Sequence, residues 1–419
     1  MNSEKQPIDA EAENGNYRVL VTGATGYLAI HCIKQLLEEG YKVRGTVRDL
    51  NANEKISPLQ KLANSDNLEL IRMALEDEPD RWEKAARGCT YVLHIASPCS
   101  IKPDRKIIQT AVSGVINVLR GVAQAQCVQK VVITSSSGAI NVKFNFYDAP
   151  NQLKVITYRC INSNFYFRDW SKLTKCIVGH KNKTKVFMEE DWTNLKWKYL
   201  HPYHKSKTLA EQTAWKFMRE NPDVSFSLTV LNPTLLVGPL LQNTKGASTT
   251  IISRFVDGSM AAYPQMALGL VDVRDAAYAH ILAMKEGRSN GQRILITAET
   301  LSFAEIAHIL RKEFAGQGYS IPRFKAPYLL LWLYAWLDSD ALEALPLYGH
   351  VDNFDNSKGC QMLNISYRKI EKSLIEMVNN MIERGMIPQK KQYLEEKKRA
   401  DLVRKKSNTM YPDRVAIVM

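Results

Sequence analysis

The 419-residue chain has no long hydrophobic run. Its most apolar stretch, APYLLLWLYAWL at 326–337, covers twelve residues, short of the roughly twenty that a helix needs to cross a bilayer. A transmembrane segment is therefore not expected, and the stretch reads as core or as an interface. Trp332, Tyr334 and Trp336 keep an interfacial membrane contact as the other reading, because amphipathic rings settle at headgroup depth. The opening MNSEKQPIDAEAENGNY carries acids and no apolar segment, so it is not read as a secretory signal, and the expected compartment is the cytoplasm. Paired cysteine motifs are also missing. Cys32, Cys89, Cys99, Cys127, Cys160, Cys176 and Cys360 are odd in number and scattered without a C-x-x-C, which argues against a disulfide framework and against a metal site.

Acidic charge is scarcer than basic charge, 43 residues against 56, for a net +13. The excess is local. Residues 142–187 hold nine Lys/Arg against two Asp/Glu, and residues 389–419 hold nine against four. Elsewhere the chain is nearly neutral, so no nucleic-acid partner is expected, and the tail reads as a solvated helix or a frayed end.

What is present is an alternation of strand and helix. YRVLVTG is a short β-rich run stopped by Gly23, AIHCIKQLLEEG has helical apolar spacing and ends at Gly40, and KVRGTV is a second strand. This βαβ unit is followed by the strands LELIRM, TYVLHIA, KVVITSS and FSLTVLNP, with helices between them. The pattern implies an α/β fold, a Rossmann-type doubly wound parallel sheet with a smaller, mainly helical C-terminal substrate lobe. Residues 1–16 read as a polar leader, 17–235 as the nucleotide-binding domain, 236–388 as the substrate lobe with 269–300 returning to the sheet, and 389–419 as a basic tail.

Gly23-Ala24-Thr25-Gly26-Tyr27-Leu28-Ala29 joins the first strand to the first helix. Without side chains there, a pyrophosphate can approach the backbone and meet the positive end of the helix. The residues after the second strand disagree about which dinucleotide binds. Asp49 stands near the spacing of a ribose-binding acid, whereas Arg48 and Lys55 suit a 2′-phosphate.

HPYHKSKTLAEQTAW sets Tyr203 and Lys207 one helical turn apart, on one face. A phenol titrating near 10 is a poor proton shuttle at neutral pH, and a neighbouring ammonium draws its pKa down. Tyr203 can then protonate a carbonyl oxygen as hydride arrives, with a serine after the strand KVVITSS polarising the same oxygen. Spacing does not choose among Ser135, Ser136 and Ser137.

The motifs VTGATGYLA, YKVRGTVRD, YVLHIASP, VVITSSSGAIN, YHKSKTLAEQTAW, LNPTLLVGP and VDVRDAAYAHI together resemble the extended short-chain dehydrogenase/reductase family, which includes the NAD-dependent epimerases and dehydratases. Within it they are similar to the dihydroflavonol reductase and cinnamoyl-CoA reductase branch, over roughly residues 17–388. The resemblance implies NADPH as cofactor. It implies Ser136, Tyr203 and Lys207 as the catalytic set, Lys207 also bonding the cofactor ribose, and Gly23, Gly26, Tyr27 and Leu28 at the pyrophosphate. It further implies Arg48 and Lys55 at the 2′-phosphate, Ala96 and Ser97 along the cofactor, and Pro233, Thr234 and Leu235 beside the nicotinamide. Where the branch has an Asp near the adenine, this chain reads Ala74-Leu75-Glu76-Asp77, which passes that contact to Asp77 or loses it.

The chain also departs from the pattern between Ser136 and Tyr203, where residues 142–187 form a basic, aromatic insert. A retained intron near Phe144–Arg168 and a genuine loop or lid are the two readings. His94 reads as a packed, hydrogen-bonded residue, and His201 and His204 as helix-surface residues. The expected activity is hydride exchange between NADP(H) and a ketone or aldehyde on a medium-sized cyclic or aromatic molecule, by a monomer or homodimer. The rival readings are an NAD-dependent sugar-nucleotide epimerase/dehydratase or 3β-hydroxysteroid dehydrogenase, and a catalytically silent dinucleotide sensor or scaffold.

Overall fold

Each short, β-rich apolar run folds as a strand of one parallel sheet. The computed structural model describes residues 14–98, 106–141, 183–196, 200–338, 341, 345–395 and 397–399. The strands are β1 (Arg18–Val21), β2 (Lys42–Val47), β3 (Leu68–Arg72), β4 (Tyr91–His94), β5 (Lys130–Thr134), β7 (Ser227–Pro233) and β10 (Arg293–Ile296). They are ordered β3-β2-β1-β4-β5-β7-β10, and every pairing is parallel. Val19, Leu20 and Val21 are wholly buried, as expected of a strand covered by helices on both faces. Because β1 lies between β2 and β4, the chain winds outward from β1 in both directions and leaves a crevice at the carboxyl ends of β1 and β4.

One face carries α1 (Tyr27–Glu38) and α7 (Val273–Lys285), whose apolar positions Ile30, Ile33, Leu37, Ala276 and Ala283 share a core with Val19 and Val43. The other carries α3 (Pro79–Ala86), α4 (Lys106–Ala125) and α5 (Pro202–Glu220), joined through Trp82, Val118, Val122, Ala214 and Phe217. A Cβ on Gly121 of α4 would stand 2.4 Å from the Trp82 Cβ and 2.5 Å from the Pro79 carbonyl oxygen, so α3 and α4 cross closely only because this side chain is missing.

The second lobe holds β8 (Leu235–Val237), β9 (Ala267–Asp272) and β11 (Glu299–Ser302), with β9 in the middle. Around them lie α6 (Ala247–Arg254), α8 (Phe303–Phe314) and α11 (Ile370–Glu383), packed through Phe255, Phe314, Leu374 and Met377. The short helix α9 (Tyr328–Tyr334) carries the most apolar stretch. Leu331 is buried, while Leu330, Leu333, Trp336 and Leu337 are exposed, so the stretch is core along one side only. Among the described residues no helix is long and apolar enough to cross a membrane.

The stretch expected as an insert is in part a strand. β6 (Lys183–Phe187) pairs in parallel with β12 (His350–Phe354), and Phe187 is wholly buried. Residues 142–182, and with them the 144–168 segment, lie outside the described residues, as do 400–419 of the tail. Tyr393 at the tail's start is buried, its ring 6.3 Å from Tyr319.

Three histidines stand inside the core. His31 bonds the Pro239 carbonyl at 3.0 Å, His94 bonds Thr22 Oγ1 at 3.0 Å, and His280 lies between Thr134 Oγ1 and the Ala276 carbonyl, both at 2.7 Å. His94 is therefore packed and hydrogen-bonded, as expected. Burial pushes each imidazole down to about 4.

These features carry two expected outcomes. Gly121→Ala lowers the urea midpoint by the equivalent of about 1–3 kcal/mol of overpacking, whereas Gly316→Ala, whose Cβ meets nothing within 4 Å, leaves it in place. Neutral burial of His31, His94 and His280 also makes stability pH-dependent. The unfolded imidazoles, near 6.5, take up protons that the folded ones, near 4, refuse, so the contribution is full above 6.5 and falls as pH drops toward 4. Urea titrations at pH 7.5 and 5 read that loss, on the order of 1–2 kcal/mol per histidine; a flat profile over this window contradicts it.

Candidate active site

The glycine turn leaves β1 at the crevice. Gly23 has φ of +69°, a conformation open to glycine, and a Cβ on it would stand 3.0 Å from the Ala96 Cβ after β4. The turn is held to its neighbours by Gly23 N–H to Thr46 Oγ1 at 3.0 Å and by Ala24 N–H to the Thr46 carbonyl at 2.8 Å. Thr22 Oγ1 accepts from Ala96 N–H at 2.9 Å and shares a hydrogen bond with His94 Nδ1 at 3.0 Å. The cradle therefore fits a dinucleotide, with both walls of the crevice tied together beneath it.

Gly26 caps α1 with extended backbone, and Tyr27 and Leu28 open the helix. The Tyr27 side chain turns to the second lobe and donates to the Gly238 carbonyl at 2.8 Å. Arg48 and Lys55 are exposed beyond β2. Asp49 accepts from Asn51 N–H at 2.9 Å and shapes the local turn. Asp77 accepts from Ala74 N–H at 2.8 Å and from Arg81 at 2.6 Å, so both carboxylate oxygens already clasp their own loop.

At the end of β5 the three serines differ. Ser135 is buried and donates to Glu211 at 2.5 Å. Ser136 is half-buried, and its hydroxyl accepts from Gly138 N–H at 3.1 Å, which leaves its proton for an outside acceptor. Ser137 opens a one-turn 3-10 helix.

Pro202 fills the first position of α5, and the His201 ring caps it by accepting from Tyr203 N–H at 3.2 Å. Tyr203 thus stands in the first turn, at the positive end of the helix. Lys207 Nζ lies 5.7 Å from the Tyr203 ring centroid, and Lys207 is buried. Its charge also reaches His94, where it lowers the imidazole further, second to burial. His204 presses against the serine loop, its Nδ1 2.6 Å from where a Cβ on Gly138 would lie. Burial, followed by the neighbouring His201, pushes His204 down to about 4. The two histidines expected on the helix surface are instead a cap and a packing residue.

Below the serines lies a polar cluster that sequence reasoning missed. Glu211 and Arg293 are buried and ion-paired. Asn232 donates to Glu211 at 2.8 Å and to the Ser136 carbonyl at 3.1 Å. Arg293 donates to the carbonyls of Glu189 at 2.7 Å, Asp191 at 2.5 Å and Ala139 at 3.2 Å, and lies 3.6 Å over the Trp192 ring. Only one signal was available: Glu211 repeats the helical face of Tyr203 and Lys207. Pro233, Thr234 and Leu235 follow on from Asn232, and Thr234 N–H continues the ladder to the Ile296 carbonyl at 3.1 Å.

Ser136, Tyr203, Lys207, the glycine turn, Ala96, Ser97 and residues 233–235 thus share the carboxyl edge of the sheet, and Arg48 follows the carboxyl end of the neighbouring parallel strand β2 on the same edge, with Lys55 seven residues on. Among the described residues no cluster of His, Cys, Asp and Glu could hold a metal ion.

The family model for the NAD dependent epimerase/dehydratase family matches residues 19–144 and 160–296, and its break falls within the excess stretch between Ser136 and Tyr203. Cinnamoyl-CoA reductase 1 of Arabidopsis thaliana is 34% identical over 311 residues, 74% of this chain and 78% of the relative. Anthocyanidin reductase of the same plant is 30% identical over 328 residues, 74% of this chain and 86% of the relative. Among solved structures, Gre2 from Candida albicans in complex with NADPH aligns with a TM-score of 0.65 at 26% identity, covering 88% of this chain and 99% of that one. The resemblance to the reductase branch is borne out by these relatives. By the extent of the family match and the identity to its reductases, the chain belongs to the NAD dependent epimerase/dehydratase family.

Proposed function

We propose that the chain is an NADP-dependent oxidoreductase that interconverts a ketone or aldehyde and an alcohol. The observation that carries this is Tyr203 in the first turn of α5 with the Lys207 ammonium 5.7 Å from its ring, beside a serine loop whose Ser136 hydroxyl proton is available. A bound dinucleotide would supply the hydride for the carbonyl carbon, or accept it from the alcohol. Ser136 donates a hydrogen bond to the carbonyl oxygen and polarises it. Tyr203 delivers the proton that makes the oxygen a hydroxyl, and Lys207 keeps the phenol acidic enough to do so at neutral pH while bonding the ribose. The helix terminus adds partial positive charge on the same side.

Gly23 and Gly26 admit the pyrophosphate, and the backbone N–H groups of Tyr27 and Leu28 face it. Ala96 and Ser97 border its other side, and Pro233, Thr234 and Leu235 flank the nicotinamide. Arg48 and Lys55 receive the 2′-phosphate, which favours NADPH over NADH. With both its oxygens held in the loop, Asp77 shapes the adenine wall. The substrate is a medium-sized cyclic or aromatic carbonyl compound, in keeping with the reductase relatives. A silent sensor would not need an acidified phenol next to a hydroxyl donor.

In an NADPH-oxidation assay over a panel of aromatic and cyclic carbonyls, Tyr203→Phe loses about 10²–10⁴ in kcat, the range of one general acid. Its affinity for NADPH, read by tryptophan quenching, stays within about threefold of the natural protein, since the phenol's contribution to binding is at most a marginal hydrogen bond. Equal turnover in both proteins, or none in either, argues for the silent reading. Replacing Arg48 and Lys55 together by alanine weakens NADPH binding by about tenfold or more while sparing NADH, the scale of lost charge-assisted contacts; an equal loss for both dinucleotides refutes the 2′-phosphate assignment.

A further inference from the structure

We propose that the face of the second lobe built by residues 323–337 is a docking surface for a lipid bilayer with anionic headgroups. The helix α9 and the turn that ends it are apolar all round. Leu331 and Ala335, one helical turn apart, face the lobe and pack with Ala326, Leu345 and Tyr348. Leu330, Leu333 and Leu337 recur at helical spacing on the opposite side and are exposed, and Trp336 beside them is 72% exposed. A helix that meets water on one side ordinarily carries polar residues there. Phe324, four residues ahead of the helix, adds a ring 74% exposed.

This exposure does not come from a loose chain. The Phe324 carbonyl accepts from Tyr263 N–H at 3.1 Å, and Ala326 N–H donates to the Tyr263 carbonyl at 2.8 Å. At the other end Arg254 donates to Asp338 at 3.1 Å, and the rings of Trp332 and Trp336 meet edge to face at 5.6 Å. The patch is therefore held in place from both sides, and its charge selects what it meets. Residues 323–337 hold two exposed cations, Arg323 and Lys325, and no acid. A two-fold contact between copies would set this surface against itself and offer those cations no partner of opposite sign, whereas a layer of anionic headgroups offers many. More positive charge starts close by. The Tyr393 ring lies 6.3 Å from Tyr319, and Lys390 N–H donates to the Tyr319 hydroxyl at 3.4 Å, four residues before Arg323 in the chain. Residues 389–419 hold nine Lys/Arg against four Asp/Glu. Tyr334 and Trp336 have the amphipathic rings that settle at headgroup depth, with the leucines at the acyl boundary. Apolar insertion and attraction to anionic lipid then add on one face of the lobe, which lies on the bilayer and does not cross it.

The test is sedimentation of the full chain with vesicles of phosphatidylcholine alone and of phosphatidylcholine with an equal part of phosphatidylserine. The natural chain binds the mixed vesicles about tenfold or more tightly than the neutral ones, since each basic residue near an anionic surface contributes about fivefold, and the difference shrinks as salt rises. Trp336→Ser combined with Leu337→Ser weakens binding to both kinds of vesicle by about tenfold. Arg323→Gln combined with Lys325→Gln weakens binding to the mixed vesicles alone, again by about tenfold. All four side chains are exposed, so both variants keep the natural thermal midpoint, and lost binding is not lost folding. Absence of binding to the mixed vesicles, or binding that neither variant alters, overturns the proposal. So does a natural chain that is dimeric in analytical ultracentrifugation and becomes monomeric in the Trp336/Leu337 variant, which assigns the face to a second copy.

Discussion

The Glu211 carboxylate and the Arg293 guanidinium, sealed from water beneath the serine loop, organise the site. Two such charges gain little net stability from each other, because desolvation cancels much of their attraction. What they gain is direction. Arg293 sits on β10, the edge strand, and its donors are spread over the carbonyls of Ala139, Glu189 and Asp191. Glu211 accepts from Ser135 and Asn232 and stands two turns along α5 from Tyr203. One ion pair thus fixes the serine loop, α5 and the segment that precedes it relative to one another. Every polar partner in the cluster has a directional demand, so the loop has one low-energy arrangement where a purely apolar floor would permit several.

The same logic applies across the crevice. Thr22 accepts from Ala96 and is hydrogen-bonded to His94, whose neutral ring lies within the field of Lys207. An imidazolium there would repel the Lys207 ammonium. Burial that holds His94 neutral spares Lys207 that repulsion, with its ammonium 5.7 Å from the Tyr203 ring.

Much of the architecture was legible in the residue pattern, and the reasons are local. A parallel strand covered on both faces must be a short apolar run, so β1, β2, β4, β5 and β7 announce themselves, and Gly23 and Gly26 mark a turn that side chains would obstruct. The long-range partners were not legible. Glu211 and Arg293 are 82 residues apart, and each alone resembles a surface charge. His204 looked like a helix-surface residue because nothing in its neighbourhood reveals that Gly138 will close on it. β6 was hidden in a basic stretch because its partner, β12, is contributed from the far end of the second lobe.

The loop from Gly238 to Gln242 shows why the lobes act together. Asp272 caps α7 by accepting from Arg274 N–H at 2.7 Å, and Ser373 of α11 donates to it at 2.6 Å. Burial opposes ionisation of this carboxyl, yet the donors of Arg274 and Ser373 hold it below its ordinary value. Gly238 passes directly over the carboxylate, with φ of +124° and room for no Cβ beyond 3.1 Å from an oxygen. The loop is thereby pinned on the lobe side by a charged cap and on the cofactor side by Tyr27, His31 and Gln242. The glycine turn is thereby joined to α7 and α11 through one continuous set of hydrogen bonds.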